Sequence, residues 1–151
     1  MIQSRPLQEL IQRMRTLREL RTEKLIYVTI ARALVYGDES SGSPSYCSPQ
    51  IRAINTAART VENLLIGIRY KGRDNKDVGS TITRFSWVKV STEETHYFYD
   101  SVNSSYCQGL TGEMEVIHCV YDNGRDCTND VRAVNYGTVP LKMLEKNKEG
   151  K

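Results

Sequence analysis

The stretch that decides the predicted fold is residues 48–70, SPQIRAINTAARTVENLLIGIRY. The Ser48 hydroxyl can cap a helix, and Pro49 suits the first helical position. The apolar residues that follow recur at every third or fourth position, at Ile51, Ile54, Ala57, Ala58, Val61, Leu64 and Leu65. This spacing predicts a helix over 49–65 with one face packed on a sheet, and a short strand over 66–70.

The N-terminal part of the chain carries a second helical pattern. Its apolar residues have helical spacing, with Ser4 placed as the cap and Pro6 in the first turn. Residues 25–36 are ambiguous, because their β-branched side chains would also suit a strand. We favour one long or kinked basic helix over 1–36. The Gly- and Ser-rich residues 37–48 are typical of a linker.

Four strand-like segments occupy the second half of the chain. They are rich in Val, Ile, Thr and Tyr, and turn signals separate them. Their approximate bounds are 81–90, 95–102, 113–121 and 131–136. Short connections favour antiparallel pairing of neighbouring strands. The predicted fold class is therefore α+β: N-terminal helices packed on a roughly four-stranded antiparallel sheet, with an α+β core over 49–144 and a polar tail over 145–151.

Composition places the chain among globular proteins. It has 151 residues, of which 39% are hydrophobic and 26% charged, enough for one domain with a real core. Its longest apolar stretch is too short to span a bilayer, so no membrane span is predicted. The N-terminus lacks the apolar core of a signal peptide. The protein is expected to be cytoplasmic if Met1 is its native start, and secreted if a signal peptide was removed.

The cysteines allow one specific pairing to be tested. Asn123-Gly124, between Cys119 and Cys127, is a hairpin signal. A two-residue Asn-Gly turn would leave these cysteines out of register. A three-residue loop over 122–124, with Gly124 in the left-handed conformation, would place them directly opposite each other. We predict the three-residue loop and, in an exported protein, a Cys119–Cys127 disulfide.

Charge is distributed unevenly along the chain. Residues 1–36 hold seven Lys or Arg and three Asp or Glu, whereas residues 93–130 hold eight acids and one base. A basic surface can bind RNA, a small anionic nucleotide or another anion. The candidate residues for such binding are Arg13, Arg15, Arg18, Arg21, Lys24, Arg69, Lys71 and Arg73. The simpler interpretation is a solvated helix face that meets the acidic sheet, in the same chain or in a second copy.

No pattern of residues marks a catalytic, metal or cofactor site. His96 and His118 are the two histidines, and neither has a nearby nucleophile-and-base arrangement. The cysteines and His118 lack the close ligand pairs of zinc sites. The aspartates within 122–130 depart from calcium-loop spacing, and no phosphate-binding glycine motif occurs. The sequence therefore predicts no catalytic residue, no metal ligand and no cofactor.

These observations lead to three hypotheses about function. The leading one is a non-enzymatic binding or interaction protein, similar in role to an effector, immunity protein or inhibitor, which acts through its folded surface on a protein partner or on itself. The alternative is a binder of RNA or a small anionic nucleotide through the basic residues. The third is an RNase-like hydrolase that uses His96 or His118 with a carboxylate.

Overall fold

The computed structural model describes residues 24–37, 42, 45–97, 102 and 107–145. Eight strands lie within these ranges: β1 Ile26–Tyr36, β2 Tyr46–Asn55, β3 Val61–Lys71, β4 Asp77–Val88, β5 Thr92–Tyr97, β6 Thr111–Tyr121, β7 Val131–Ala133 and β8 Leu141–Met143. A turn of 3-10 helix, Thr128–Asp130, precedes β7. The described ranges contain no α-helix, so the predicted α+β class is wrong.

The strands form two four-stranded sheets. Sheet A has the order β5-β2-β1-β7, and sheet B has the order β4-β3-β6-β8. In each sheet three strands are antiparallel, while the short last strand, β7 or β8, runs parallel to its neighbour. The strands predicted near 81–90 and 113–121 correspond to β4 and β6, whereas those near 95–102 and 131–136 overlap β5 and β7. The predicted single antiparallel sheet is thus replaced by two mixed sheets.

The predicted helix over 49–65 is in fact the end of β2, a turn and the start of β3. In β2, Ile51 and Ala53 are fully buried on one face, and Ile54 is also buried on the other, against Tyr27. A strand buried on both faces loses the alternation of apolar and polar residues. Its apolar positions can then coincide with helical spacing, which is why the sequence pattern predicted a helix where the chain forms a strand.

Residues 25–36, which the sequence left open between helix and strand although we favoured the helix, contain β1, which begins at Ile26. Its first half is buried on both faces, and its β-branched residues fit a pleated, packed surface. The end of the predicted linker is also wrong, because residues 46–48 open β2. Residues 1–23, where the rest of the basic helix was predicted, lie outside the described residues, as does the polar tail after Glu145.

The inner faces of the two sheets share one hydrophobic core. Fully buried aliphatic and aromatic side chains from both sheets belong to it, among them Val28, Ile30 and Ile51 from sheet A and Ile66 and Phe85 from sheet B. Because these side chains form one continuous cluster, the sheets pack face to face as a β-sandwich. Among the described residues, no element packs on the opposite, outer face of sheet B.

Asn55 holds the sandwich together at one end. It is fully buried, and its Nδ2 donates hydrogen bonds to the carbonyl oxygens of Arg59, at 2.9 Å, and Val88, at 2.8 Å. Its Oδ1 accepts a hydrogen bond from the Ala57 N–H at 2.9 Å, and its carbonyl oxygen accepts one from the Ser91 N–H at 2.7 Å. Both nearby crossings between the sheets, β2 to β3 and β4 to β5, are therefore anchored by one residue.

Two disulfides stabilise the fold. Cys47 in β2 is bonded to Cys107, just before β6, with a Cα–Cα distance of 5.2 Å, so this bond links the two sheets. Its sequence separation of 60 residues corresponds to about 4 kcal/mol of stabilisation in a chain-entropy description. Cys119 is bonded to Cys127, with a Cα–Cα distance of 4.9 Å.

The hairpin after β6 has the predicted three-residue loop. The Tyr121 N–H donates a hydrogen bond to the Arg125 carbonyl oxygen at 2.8 Å, which closes the loop over 122–124. Gly124 has a φ of 85°, in the left-handed region. Two residues further from the loop, the Cys127 N–H donates to the Cys119 carbonyl oxygen at 3.0 Å. The predicted register is confirmed, and it explains why these two cysteines meet.

Gly137 allows the chain to pass tightly against β1 at an irregularity of that strand. The pairing of β1 with β2 shifts between Ile30 and Arg32, and the Thr138 N–H donates to the Ala31 carbonyl oxygen at 3.0 Å. A Cβ at position 137 would overlap the Ile30 carbonyl oxygen and lie 2.6 Å from the Ala31 Cα. Since both neighbours are backbone atoms, they cannot move aside as a flexible side chain could.

We predict that Gly137→Ala lowers the free energy of unfolding by about 1–3 kcal/mol, because the added methyl group overpacks a backbone contact. Gly67→Ala is the matched control, since a Cβ at 67 meets its nearest neighbour at an ordinary 3.5 Å. Denaturant unfolding of both variants measures the difference. Equal midpoints for the two variants would contradict the close approach described at Gly137.

Candidate functional site

The outer face of sheet B is the candidate functional site. It is built by residues of β3, β4 and β6 that point away from the core, and in the first of these strands the neighbouring residues Leu64, Ile66 and Ile68 face inward and are buried. We call the outward set the outer-face patch, and it consists of Leu65, Gly67, Arg69, Ile82, Arg84, Glu115, Ile117 and His118.

Gly67 forms the floor of the outer-face patch. It pairs with Ile82 of β4 on one side and with Glu115 of β6 on the other. A Cβ at this position would lie 3.5 Å from Cδ1 of Ile117 and 3.6 Å from Oε1 of Glu115, so an aliphatic side chain and a carboxylate both border the space above the glycine. Ile82 is 68% exposed and Ile117 is 46% exposed. We call these two exposed aliphatic side chains the apolar centre of the patch; exposed apolar groups rimmed by polar residues are a feature of interaction sites.

A β-bulge in β6 brings additional side chains onto this face. Leu65 lies opposite His118, whereas the next residue of β3, Ile66, lies opposite Val116. Ile117 is therefore the extra residue of the bulge, and Ile117 and His118 are both exposed although they are consecutive. Bulges commonly redirect side chains in this way next to functional sites.

Trp87, the sole tryptophan of the chain, lies beside the outer-face patch at the end of β4. The residue is 58% exposed, and its backbone has a φ of 55°. A bulky residue in this left-handed conformation costs on the order of 1–3 kcal/mol, and such strain is concentrated at ligand-binding and active sites. Exposed tryptophan is also frequent among the residues that dominate interface energies.

Charges surround the apolar centre unevenly. Arg69 and Arg84 are exposed on the β3 and β4 side, while Glu113 and Glu115 lie on β6. The Nζ of Lys71 is 3.6 Å from Oε1 of Glu113, so this acid is partly neutralised. The outer-face patch thus has a positive margin on one side and a more acidic margin on the other.

The structure separates the residues predicted to bind anions. Arg69 belongs to the outer-face patch, Lys71 ends β3, and Arg73 is exposed in the β3–β4 turn, where it touches Gly109. Lys24 is exposed and lies two residues before the start of β1 of sheet A. The predicted residues Arg13, Arg15, Arg18 and Arg21 lie outside the described residues.

A polar cleft adjoins the outer-face patch at the end of β3. It has a volume of about 270 Å³, and Lys71 lines it together with Asn75, Asn135 and Lys142. The parallel pairing of β8 with β6 places Lys142 beside Glu113. The sequence indicated the first of these lysines but not Lys142, because a three-residue edge strand leaves almost no sequence signal.

The acidic segment 93–130 is tied to the framework of the sandwich. Glu93 forms an ion pair with Arg52 at 3.1 Å, and Asp122 forms one with Arg59 at 2.8 Å. Such partly exposed pairs contribute at most about 1 kcal/mol each. Two of the acids that could have met a basic helix therefore have partners elsewhere in the described fold.

Tyr121 binds a further acid of this segment. Its hydroxyl donates a hydrogen bond to Oδ2 of Asp130 at 2.6 Å. Burial and, after it, this contact with a carboxylate raise the pKa of Tyr121. The phenol therefore stays protonated and keeps its role as donor.

Within the described residues, the histidines and cysteines form neither a catalytic arrangement nor a metal site. The ring of His96 lies edge-on to Phe85, with ring centroids 4.4 Å apart, and His118 is exposed on the outer-face patch. Neither side chain forms a hydrogen bond to a carboxylate within the described part of the chain. All four cysteines are in disulfides, and no group of three or more His, Cys, Asp or Glu in the described ranges could hold a metal ion.

Comparisons of the chain with protein-family models, with curated proteins and with solved structures found no match. Across the described ranges, no helix has the length and apolar character needed to cross a membrane. The class of protein is therefore described from its own fold and surface. It is a disulfide-bonded β-sandwich with exposed apolar side chains on the outer face of one sheet.

Proposed function

We propose that this protein is a non-enzymatic binding protein that recognises a protein partner through the outer-face patch. The observation that carries the proposal is the exposure of Ile82 and Ile117 around Gly67, where the Glu115 carboxylate adds a polar border. An apolar centre with a charged rim is the usual anatomy of a protein–protein interface. The partner should offer an apolar contact, with acidic groups toward Arg69 and Arg84.

Two further features support a role in binding. The β6 bulge adds the exposed Ile117 to the face, and Trp87 stays exposed in a conformation that costs free energy. Both features rest on strands whose opposite faces are packed into the core. A rigid scaffold lowers the entropy cost of binding, which favours recognition by preformed shape.

An RNase-like activity has less support. His96 is engaged with the Phe85 ring, and His118 projects from the sheet without a described hydrogen bond to a carboxylate. General acid–base catalysis requires titratable groups positioned within hydrogen-bond reach of the reacting atoms. A binding role requires no such group and uses the exposed features that the sheet face does offer.

We predict that a photo-crosslinking amino acid in place of Ile117 forms a discrete protein adduct in an extract of the native source, because this side chain lies at the centre of the interface. Val35 is the matched control position, since it is 52% exposed on β1 of sheet A. Gel electrophoresis and mass spectrometry detect the adduct.

Competition makes this measurement specific. Excess unlabelled protein should abolish the adduct, whereas the Gly67→Arg variant, which fills the floor of the outer-face patch, should compete at least tenfold less well, about 1.4 kcal/mol of lost binding. The same adducts from positions 117 and 35, or equal competition by Gly67→Arg, would refute partner binding at this face.

We also propose that the protein works in an oxidising compartment. All four cysteines are paired, and stable disulfides persist in exported rather than cytosolic proteins. Peptide mapping without reduction, on protein isolated from its native source, should recover Cys47 linked to Cys107 and Cys119 linked to Cys127. Recovery of free thiols at these positions would contradict the proposal.

Anion binding is the second candidate function, and the polar cleft carries it. Two lysines, Lys71 and Lys142, and the amides of Asn75 and Asn135 line one small space, although Glu113 offsets part of the charge. Lysine charges and amide donors are suited to a phosphate group. A small phosphorylated ligand or a single-stranded RNA backbone fits this chemistry.

We predict that the double variant Lys71→Gln/Lys142→Gln weakens binding of a fluorescent single-stranded RNA or of ATP. If both lysines contact phosphates of the RNA, the log–log salt dependence should become shallower by about 1.4, at about 0.7 per contact. Lys89→Gln, in the exposed β4–β5 turn, is the control. An equal effect of the control, or no binding by the unmodified protein, would eliminate this candidate.

A further inference from the structure

The edge strand β4 differs from the other sheet edges of the described fold. The edge strands β7 and β8 have three residues each, and β5 has six, two of which are Glu93 and Glu94. Short length and charge are the usual protections of an edge against pairing with another chain. β4 has twelve residues, contains no proline, and carries one basic residue in its regular part, Arg84.

The inner face of β4 has polar groups that lack well-formed hydrogen bonds. Thr81 and Thr83 are 3% exposed, and neither hydroxyl has a partner with hydrogen-bond geometry among the described residues. Thr81 lies near the Tyr70 hydroxyl, which also lacks a partner of good geometry. These hydroxyls are enclosed by the chain itself, so the inner face of β4 is already packed, and its edge and outer face are the parts open to a second chain.

A two-fold axis at Ile82 would give a pairing of two β4 edges a favourable register. Antiparallel pairing of β4 with β4 of a second copy would then place Thr81 opposite Thr83 of that copy, and Ile82 opposite its own equivalent. Facing threonines and facing aliphatic residues are both favourable cross-strand pairs. Arg84 would face Ser80, so no like charges would meet. Shifting the axis to Arg84 would instead place two arginines opposite each other.

We infer that two copies of this chain associate through β4, which joins their B sheets into one continuous eight-stranded sheet. The inference goes beyond the proposed partner binding and does not depend on it. Because a two-fold axis perpendicular to the sheet keeps equivalent faces on the same side, both outer-face patches would lie on one surface. Trp87, with its left-handed backbone, marks the end of the regular strand and limits the pairing to the residues before it.

The test exploits the residue on the proposed axis. The purified protein should sediment with twice the 17.2 kDa mass of one chain. Ile82→Glu and Ile82→Lys should each be monomeric, because like charges would face each other across the axis, and mixing the two variants should restore the dimer. Ile82 is 68% exposed, so these variants should fold, and circular dichroism checks this.

Controls on the same face identify the surface used. Ile117→Glu and Ile117→Lys should remain dimeric, because position 117 is two strands from the β4 edge. Ile82→Cys should form an intermolecular disulfide under oxidation, whereas Arg84→Cys, which would face position 80, should not. A monomeric unmodified protein at every accessible concentration, or dimers of both Ile82 charge variants, would overturn the inference. Partner binding is judged separately, from the adduct at position 117.

Discussion

The clamping of β2 against sheet B is the constraint on which the rest of the structure depends. β2 is an inner strand of sheet A, and it is fixed to the opposite sheet near both of its ends. At one end the Asn55 amide bonds the Val88 carbonyl of β4, and near the other Cys47 is bonded to Cys107. The first attachment is a buried polar network and the second is covalent. Between them the two inner faces are held in register around a single core.

That constraint accounts for the character of the candidate site. β3 lies inside sheet B, with its inward residues Leu64, Ile66 and Ile68 packed in the core. Its outward residues therefore have little freedom to change position, and Gly67 presents a fixed floor rather than an adjustable one. The two strands that flank β3 depart from regular geometry on this face. β6 has a bulge at Ile117, and β4 has a strained backbone at Trp87. The inward residues of these strands thus form the scaffold, while their outward residues carry the recognition features.

The sequence predicted local features better than the arrangement of the strands. The Asn123-Gly124 signal and the spacing of Cys119 and Cys127 were sufficient to predict the hairpin register, because the interaction spans eight residues. The apolar spacing in β2 predicted a helix, because a strand buried on both faces has no alternating pattern. For the candidate site, Arg69 was identified by charge alone. The apolar centre was missed, since its residues come together only through pairing of β3, β4 and β6.

The parallel edge strands have a consequence for how the chain reaches its native state. Ile26 pairs with Val131, and Gly112 pairs with Leu141, so the last described strands complete edges formed by earlier ones. The first of these pairings closes a loop of about one hundred residues, and such non-local closure slows folding. During synthesis, none of the other described strands can cover this edge of β1 before β7 has left the ribosome. Sheet A is therefore completed only near the end of synthesis of the described residues. Until then, the free edge of β1 could pair with another chain.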